Sequence, residues 1–130
     1  TILRSADACA MDAVITSPGS VDMYSPKVVR STAGSLWHIP VFESVPLEDL
    51  LALGVKAFSL GASGSTSLEA FEANWDVAAV FGNEARGLST AQQVDAIEVV
   101  SIPMPGNAES LNLSAAASIV MYHLSNMPRK

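Results

Sequence analysis

The sequence predicts an α/β fold in which a mostly parallel sheet carries helices on both faces. Short apolar runs alternate along the chain with stretches of helical spacing, which is the pattern of strand–helix–strand units. Two runs, WDVAAVF (75–81) and IEVVSIPM (97–104), are almost continuously apolar, as expected of strands that are covered on both sides. Because the chain has 130 residues, we expect a single domain over residues 1–130.

Local signals mark the other elements. Ser25 is a favourable N-cap, Pro26 a favourable first helical residue and Gly34 a helix stop, so a helix is predicted between them. Pro46 and Gly54 delimit a second helix in the same way. The remaining predicted strands are DAVIT (12–16), IPVF (39–42) and KAFSL (56–60).

Two further helices are predicted in the C-terminal half. Ser89 and Gln92 have the spacing of a capping box, which predicts a short helix between the last two strands. In LNLSAAASIVMYHL (111–124) the apolar residues recur on one helical face, so a longer helix is expected there.

Three polar loops follow three of the predicted strands. They are LGASGSTS (60–67), GNEARGLS (82–89) and PMPGNAESLN (103–112). Because the ligands of open parallel sheets bind beyond the carboxyl ends of the strands, we expect the three loops to meet in one site. Their glycines allow the main chain to approach a ligand closely.

The composition narrows the class of protein. No apolar run reaches the roughly 18 residues of a membrane span and no signal peptide is visible, so a cytoplasmic protein is expected. Cys9 has no partner for an internal disulfide, and His38 and His123 are too far apart in sequence to suggest a metal site. The 7 basic and 13 acidic residues give a net charge of −6, which argues against strong nucleic-acid binding by this part alone.

The segment GASGSTS (61–67) invites a phosphate-loop interpretation. A Walker sequence needs a lysine before its Ser/Thr, and Ser65 stands there instead. No G-x-G-x-x-G opens a helix after the first strand either. A generic nucleotide-binding α/β domain is therefore kept only as an alternative.

Three segments resemble, in their order and spacing, the signature motifs of the SpoU/TrmH branch of the SPOUT methyltransferases. They are TILRSADACAMDAVI (1–15), FGNEARGLS (81–89) and IPMPGNAESLNLSAAASI (102–119). The Asn-x-Gly that usually leads the first motif would precede Thr1, and Ala10 stands where that motif usually has a glycine. We therefore expect the start of the first motif, and an RNA-binding domain, to lie upstream of this chain.

The resemblance implies an enzyme that transfers a methyl group from S-adenosylmethionine to a ribose 2'-hydroxyl of RNA, releases S-adenosylhomocysteine and needs no metal. It also implies a deep trefoil knot in the C-terminal part, which forms both the cofactor site and a homodimer interface. Ribosomal RNA is the favoured substrate. The alternatives are a transfer RNA methyltransferase and a catalytically inactive module that binds the cofactor and RNA.

The resemblance assigns a cofactor pocket as well. Gly82, Ile102 and Leu111 match the family's cofactor-contacting positions. The neighbours expected to line the same pocket are Leu60, Gly61, Phe81, Asn83, Glu84, Pro103, Met104 and Asn112.

Four residues are candidates for the chemical step. Arg4 matches the first-motif arginine, and because a guanidinium stays protonated we expect it to stabilise the developing alkoxide or bind an RNA phosphate rather than act as a base. Ser110 and Asn112 match the polar pair of the third motif and are expected to orient Arg4, the ribose or the cofactor, or to cap the last helix. Glu84 belongs to the second motif, with a plain surface ion pair to Arg86 as the alternative to a role in the site.

The remaining notable side chains are expected to be structural. Cys9 is predicted to lie in the core, and His38 and His123 to be packing or surface residues. Trp37 and Trp75 are predicted to be core or dimer contacts, with stacking on an RNA base as the alternative.

Overall fold

The computed structural model describes residues 1–20, 22–72, 76–82 and 97–128, and it confirms an α/β fold with parallel strands. The helices are α1 (Ile2–Ala8), α2 (Pro26–Ser31), α3 (Leu47–Ala52) and α4 (Leu113–Ser125). The strands are β1 (Val14–Ile15), β2 (Val41–Phe42), β3 (Lys56–Leu60), β4 (Thr66–Ser67), β5 (Val77–Val80) and β6 (Glu98–Ser101). Short 3₁₀ helices lie at Ser35–Trp37 and Leu68–Ala70.

The strands form two parallel sheets. In the smaller sheet β1 pairs with β2, and Val14 lies opposite Val41. The larger sheet has the order β4–β6–β3–β5, and each of its pairings is parallel. Strand β6 therefore lies between β3 and β4, although it follows both of them in the sequence.

Helices α2 and α3 form where they are predicted. Ser25 is the N-cap of α2, and its Oγ accepts a hydrogen bond from the Val28 N–H at 3.4 Å. The helix ends at Ser31, before the predicted stop at Gly34. Gly34 and Gly54 then have positive φ angles of 90° and 85°, which glycine adopts without strain.

Strand β3 covers the whole predicted run 56–60, whereas β1, β2, β5 and β6 are shorter than the runs that predict them. β1 covers only two residues of the run 12–16, and β5 covers four residues of the run 75–81. β6 ends at Ser101, two residues before Pro103, which has no N–H to offer a neighbouring strand. The predicted capping box at 89–92, and Trp75, lie outside the described residues.

Helix α1 occupies the first motif, a segment for which no helix is predicted. It ends in a Schellman motif, because the Met11 N–H donates to the Ala6 carbonyl at 2.9 Å and the Ala10 N–H to the Asp7 carbonyl at 3.1 Å. Ala10 accordingly has a φ of 55°, in the left-handed region that favours glycine. The alanine noted at this motif position thus occupies a site of backbone strain.

Helix α4 packs into both large hydrophobic clusters. Met121 lies in one cluster with Leu3 of α1. Val120 lies in the other cluster with Phe58 and Val100 of the larger sheet. The last helix therefore connects the packing of α1 to that of the sheet.

The larger sheet is covered on both faces, as predicted. Neighbouring residues of β3 point to opposite faces, and Phe58 packs in the cluster of Val120 while Ala57 packs with Leu47 of α3. Helices α4 and α3 therefore lie on opposite sides of β3. Within the described ranges, no helix is long and apolar enough to cross a membrane.

Candidate active site

The three polar loops begin at one edge of the larger sheet. β3, β5 and β6 are parallel, and β3 lies between the other two. Their carboxyl ends, at Leu60, Val80 and Ser101, therefore lie side by side. The sheet order confirms the prediction that the segments following these strands start from a common edge.

The loop after β3 lies directly on β6. The Gly61 N–H donates to the Val100 carbonyl at 3.0 Å. A Cβ at Gly64 would lie 2.7 Å from the Val99 carbonyl oxygen and 2.8 Å from the Ser101 nitrogen, so no side chain fits there. The glycines of GASGSTS are thus required for packing against β6. They therefore no longer support the phosphate-loop interpretation.

Apolar side chains border the same edge. Leu60 and Ile102 are half-buried and pack against the Phe58 cluster. Met104 is half-buried, Pro103 is exposed, and Leu111 retains 38% of its exposure. Leu60 and Ile102 thus offer a half-buried apolar surface beside the main chain of the loop after β3.

The second motif is described only at its start. Phe81 is half-buried and packs against both large clusters, and Gly82 follows it directly after β5. Asn83, Glu84 and Arg86 lie outside the described residues. Their predicted parts in the site stay predictions.

Asn112 caps the last helix. Its side-chain Oδ1 accepts a hydrogen bond from the Ala115 N–H at 2.8 Å, and its carbonyl accepts one from the Ala116 N–H at 3.0 Å. The capping alternative is therefore confirmed for Asn112. Ser110 is exposed and lies two residues before this cap.

Arg4 is exposed on α1. Among the described residues, no hydrogen bond or ion pair joins it to Ser110 or Asn112, so the structure does not bring the three predicted catalytic side chains into direct contact. Helix α1 is nevertheless fixed to α4, because Ser5 Oγ lies 2.9 Å from Ser118 Oγ. Arg4 and the capped start of α4 therefore belong to one packed unit.

A second contact that the sequence analysis missed holds α1 from its other side. His38 Nδ1 lies 2.8 Å from Asp7 Oδ2, which ties α1 to the short 3₁₀ helix at 35–37. Hydrogen bonds from His38 and from Ser35 lower the pKa of Asp7. The two residues are 31 positions apart, so no local sequence signal predicts this contact.

The tryptophan and cysteine predictions have different outcomes. Trp37 is 74% exposed, so it does not lie in the core of this chain. It ends a short 3₁₀ helix whose buried side is taken by Leu36. Its other predicted roles, a dimer contact or stacking on an RNA base, stay predictions. Cys9 is half-buried against the cluster of Leu3, in agreement with its predicted place in the core.

One cavity of the described residues reaches the carboxyl end of β5 but not the ends of β3 and β6. It has a volume of about 920 Å³ and extends between α1, β1 and β5. Of the predicted cofactor residues, only Phe81 and Gly82 line it. In the described part of the chain there is also no group of three or more His, Cys, Asp or Glu side chains suited to a metal ion.

Comparison with known proteins identifies close relatives. The sequence profile of the SpoU rRNA Methylase family matches residues 1–122. The chain is 35% identical over 127 residues to the 23S rRNA (guanosine(2553)-2'-O)-methyltransferase of Bacillus subtilis, covering 95% of this chain and 51% of that protein. It is also 35% identical over 132 residues to the 23S rRNA (uridine(2479)-2'-O)-methyltransferase of Streptomyces viridochromogenes, covering 94% and 46%. The chain spans about half the length of these curated relatives.

Solved structures of methyltransferases are also similar to this chain. The SpoU methyltransferase AviRb of Streptomyces viridochromogenes, in complex with the cofactor AdoMet, superposes with a TM-score of 0.83 at 32% identity over 95% of this chain and 53% of that chain. An AdoMet-bound rRNA methyltransferase of Sinorhizobium meliloti superposes with a TM-score of 0.82 at 30% identity over 95% and 49%. Both sequence and fold are therefore similar to those of enzymes crystallised with the methyl donor.

Proposed function

The chain belongs to the SpoU rRNA Methylase family, and on this basis we propose that it is the catalytic domain of an S-adenosylmethionine-dependent RNA methyltransferase. The reaction moves a methyl group to a ribose 2'-hydroxyl and leaves S-adenosylhomocysteine. The observation that carries the proposal is the shared carboxyl edge of β3, β5 and β6, from which the glycine-rich loop and the second and third motifs start. Ribosomal RNA in the cytoplasm is the proposed substrate, since two similar curated proteins are 23S rRNA methyltransferases.

The residues at the carboxyl edge suit an adenosine-type cofactor. A partly exposed apolar surface next to main-chain donors and acceptors fits a flat apolar base that carries polar edges. The described residues that hold the cofactor in this proposal are Leu60, Gly61, Phe81, Gly82, Ile102, Pro103, Met104, Leu111 and Asn112. Asn112 takes part through its main chain, because its side chain is committed to the helix cap.

The chain has two tasks in the chemical step. The cofactor supplies a methyl group that its sulfonium already activates, so the protein has to align the 2'-hydroxyl and manage its proton. Arg4 is the proposed catalytic cation, because it is exposed and a guanidinium stabilises the oxygen as it loses its proton. Ser110, which is exposed in the segment that follows β6, is proposed to orient the ribose. Glu84 is proposed to support the cofactor loop.

We include the trefoil knot in the proposal. The connection from β3 to β4 must cross β6, because β6 lies between these two strands. The close approach of Gly64 to the main chain of Val99 and Ser101 marks the crossing. A loop that lies across β6, with the chain continuing from Ser101 towards α4, supports a threaded C-terminal part.

The homodimer is also part of the proposal. Ile119 and Tyr122, on the outer side of α4, are 42% and 68% exposed. Exposed apolar and aromatic side chains on one helix are characteristic of interface surfaces. RNA recognition is assigned mainly to polypeptide beyond this chain, since its net charge is −6.

Two measurements test the function. Calorimetry with S-adenosylhomocysteine should give a single site on the full-length protein, and the absence of any binding would rule out the proposed function. Mass-spectrometric mapping of 2'-O-methyl nucleotides should show one rRNA position that loses its methyl group when the gene is deleted. Loss of a transfer RNA methyl group instead would assign the alternative substrate, and an unchanged map would indicate an inactive binding module.

A further inference from the structure

Two neighbouring ring side chains lie on the surface beside helix α1. Trp37 is 74% exposed, and the side chain of the next residue, His38, is 65% exposed. Tryptophan is among the side chains that folding usually removes from water, because it carries a large apolar area. The core of this chain therefore does not explain why a tryptophan ends the short 3₁₀ helix at 35–37.

The packing around the two rings fixes their position. Leu36, the residue before Trp37, is buried in the cluster of Leu3 and anchors the 3₁₀ helix beside α1. On the other side, His38 Nδ1 lies 2.8 Å from Asp7 Oδ2. In the described part of the chain His38 Nε2 forms no hydrogen bond, so this ring atom is available to a ligand. The two exposed rings thus belong to a segment that is held on both sides.

The two rings lie on the side of α1 to which Arg4 is close. Successive residues of an α-helix are about 100° apart around its axis, so Asp7 lies about 60° from Arg4 and about 200° from Ser5. Ser5 contacts α4, and Asp7 contacts His38. Helix α4 and the two rings therefore flank α1 on nearly opposite sides. Arg4 is exposed between them and lies nearer to the rings.

This arrangement separates Trp37 from the surface proposed for the homodimer. That surface is the outer side of α4, where Ile119 and Tyr122 are exposed. Because α4 and Trp37 lie on nearly opposite sides of α1, they do not form one continuous patch. A dimer through the outer side of α4 therefore does not account for the exposure of Trp37.

The charge distribution favours a polyanionic partner on this part of the chain. Residues 1–42 carry three basic and three acidic side chains, whereas residues 43–130 carry four basic and ten acidic ones. The net charge of −6 thus belongs to the second part, and the part with Trp37 and Arg4 is neutral. No ion pair within the described ranges neutralises Arg4. A nucleic-acid strand therefore meets less repulsion beside α1 than on the rest of the chain.

We propose that Trp37 and His38 form a stacking platform for the RNA substrate, which holds an unpaired base that flanks the target nucleotide while Arg4 contacts the target ribose. The inference rests on the proposed function and adds to it the surface that holds the RNA. An unpaired base presents a flat face to an aromatic ring, and such stacking tolerates every base. His38, oriented by Asp7, offers Nε2 to a phosphate or a base edge.

The platform fits single-stranded RNA. In a duplex the faces of the bases are covered by their neighbours, so a side chain stacks only on bases in loops, bulges or single strands. Arg4 lies one helical turn before Asp7, which contacts the platform, so one RNA strand reaches both places.

Steady-state kinetics of the full-length protein test the platform. Ribosomal RNA transcribed in vitro carries no methyl groups and is the acceptor for S-adenosylmethionine. W37A should raise the KM for this RNA by roughly tenfold, because the stacking of one base is lost, with a much smaller effect on kcat. W37F keeps an aromatic face and should stay within about threefold of the wild-type KM. The affinity for S-adenosylhomocysteine, measured by calorimetry, should be the same in all three proteins.

F42A is the matched control. Val41 packs against the cluster of Leu3, so the next residue of β2, Phe42, points to the opposite face of the smaller sheet, where it is 54% exposed. F42A should leave the KM for RNA unchanged. A W37A protein with the wild-type KM overturns the platform but leaves the proposed function intact, because methyl transfer is still observed. Absence of methyl transfer by the wild type instead contradicts the proposed function itself.

A binding measurement provides a second readout that needs no methyl transfer. In the full-length protein labelled with 5-fluorotryptophan, the ¹⁹F resonance that is missing from W37F belongs to Trp37. An excess of single-stranded RNA of about 12 nucleotides should shift this resonance, and the same RNA annealed to its complement should shift it far less. A resonance that neither RNA shifts, or that both shift equally, overturns the platform. A resonance that changes on dilution of the protein without RNA shows a contact with a second copy, and also overturns it.

Discussion

Ser5 Oγ lies 2.9 Å from Ser118 Oγ, and this contact joins the helix that carries Arg4 to the helix that Asn112 caps. The Ser118 hydroxyl donates to the Ser114 carbonyl at 2.9 Å, so Ser5 is the donor between the two hydroxyls. Helices α1 and α4 border the proposed site. Their relative position is thus fixed by hydrogen bonds that connect Ser5, Ser118 and Ser114.

Removal of the Ser5 hydroxyl tests this contact. S5A should lower the free energy of unfolding by about 1 kcal/mol, because one net hydrogen bond is lost while Ser118 keeps its bond to Ser114. Chemical denaturation measures the change. The control S125A removes an exposed hydroxyl whose hydrogen bonds are local, to the Tyr122 carbonyl and from the Asn126 side chain, and it should change the stability much less. Equal effects of the two substitutions would contradict the assignment.

Arg4 should be needed for the chemical step and not for cofactor binding. R4A in the full-length protein should reduce kcat by roughly 100-fold or more, since a cation that stabilises the developing oxyanion is lost. The affinity for S-adenosylhomocysteine, measured by calorimetry, should stay unchanged. R30A, on the exposed side of α2, is the control and should keep most of the activity. A loss of cofactor affinity with R4A would instead place Arg4 at the cofactor.

Gly64 should tolerate no side chain. G64A should lower the free energy of unfolding by about 2 kcal/mol, because the new methyl group meets the main chain of Val99 and Ser101 at 2.7–2.8 Å and backbone cannot move aside freely. G106A is the matched control, since a Cβ at Gly106 meets nothing within 4 Å. Thermal melts of the two variants provide the comparison. A G64A protein as stable as G106A would show that the loop does not rest on β6.

Replacement of Ala10 by glycine should stabilise the folded protein. The C′ position of a Schellman motif requires a left-handed φ, and an L side chain there costs on the order of 1 kcal/mol. A10G should therefore raise the free energy of unfolding by up to about 1 kcal/mol, less the entropy that glycine gains in the unfolded chain. The control A8G, inside α1, should lower it by about 0.5–1 kcal/mol. Denaturation curves that show the same sign for both would contradict the observed conformation.

The Asp7–His38 contact should make the free energy of unfolding decrease at acid pH. The pKa of Asp7 is lowered in the folded protein, so the folded state favours the carboxylate and the stabilisation is present above the unfolded pKa of about 4. It is lost as the pH falls below that value and Asp7 becomes protonated. Wild type should be more stable than D7N at pH 6, and the two should converge towards pH 3. D12N, at an exposed residue, should show no such convergence.

Much of the fold is predictable because it rests on local chemistry. The N-cap Ser25 and the stops Gly34 and Gly54 mark helices through hydrogen bonds and φ angles that a few neighbouring residues determine. The buried runs around β5 and β6 predict parallel strands because a strand covered on both faces has no polar side. The start of the three polar loops at one edge of the larger sheet follows from the parallel pairing of the strands alone.

Other features depend on contacts between distant segments. Helix α1 has no side-chain N-cap at Thr1 and is only seven residues long, so its formation relies on packing against α4. The position of β6 between β3 and β4 depends on the packing of its main chain against Gly64. A glycine in a loop does not show in the sequence which segment packs against it. The motif match predicts that Arg4 and Asn112 lie in the site. Only the structure shows that the Asn112 side chain caps α4.

The double packing of α4 has a consequence for how the protein acquires its structure during synthesis. Val120 completes the cluster of the larger sheet and Met121 completes the cluster of α1, and both residues belong to α4, which follows all the described strands in the sequence. Neither cluster can close until that helix has left the ribosome, so the earlier strands wait with apolar faces uncovered. We therefore expect slow, nearly all-or-none folding, since most of the stabilising contacts join segments far apart in the chain.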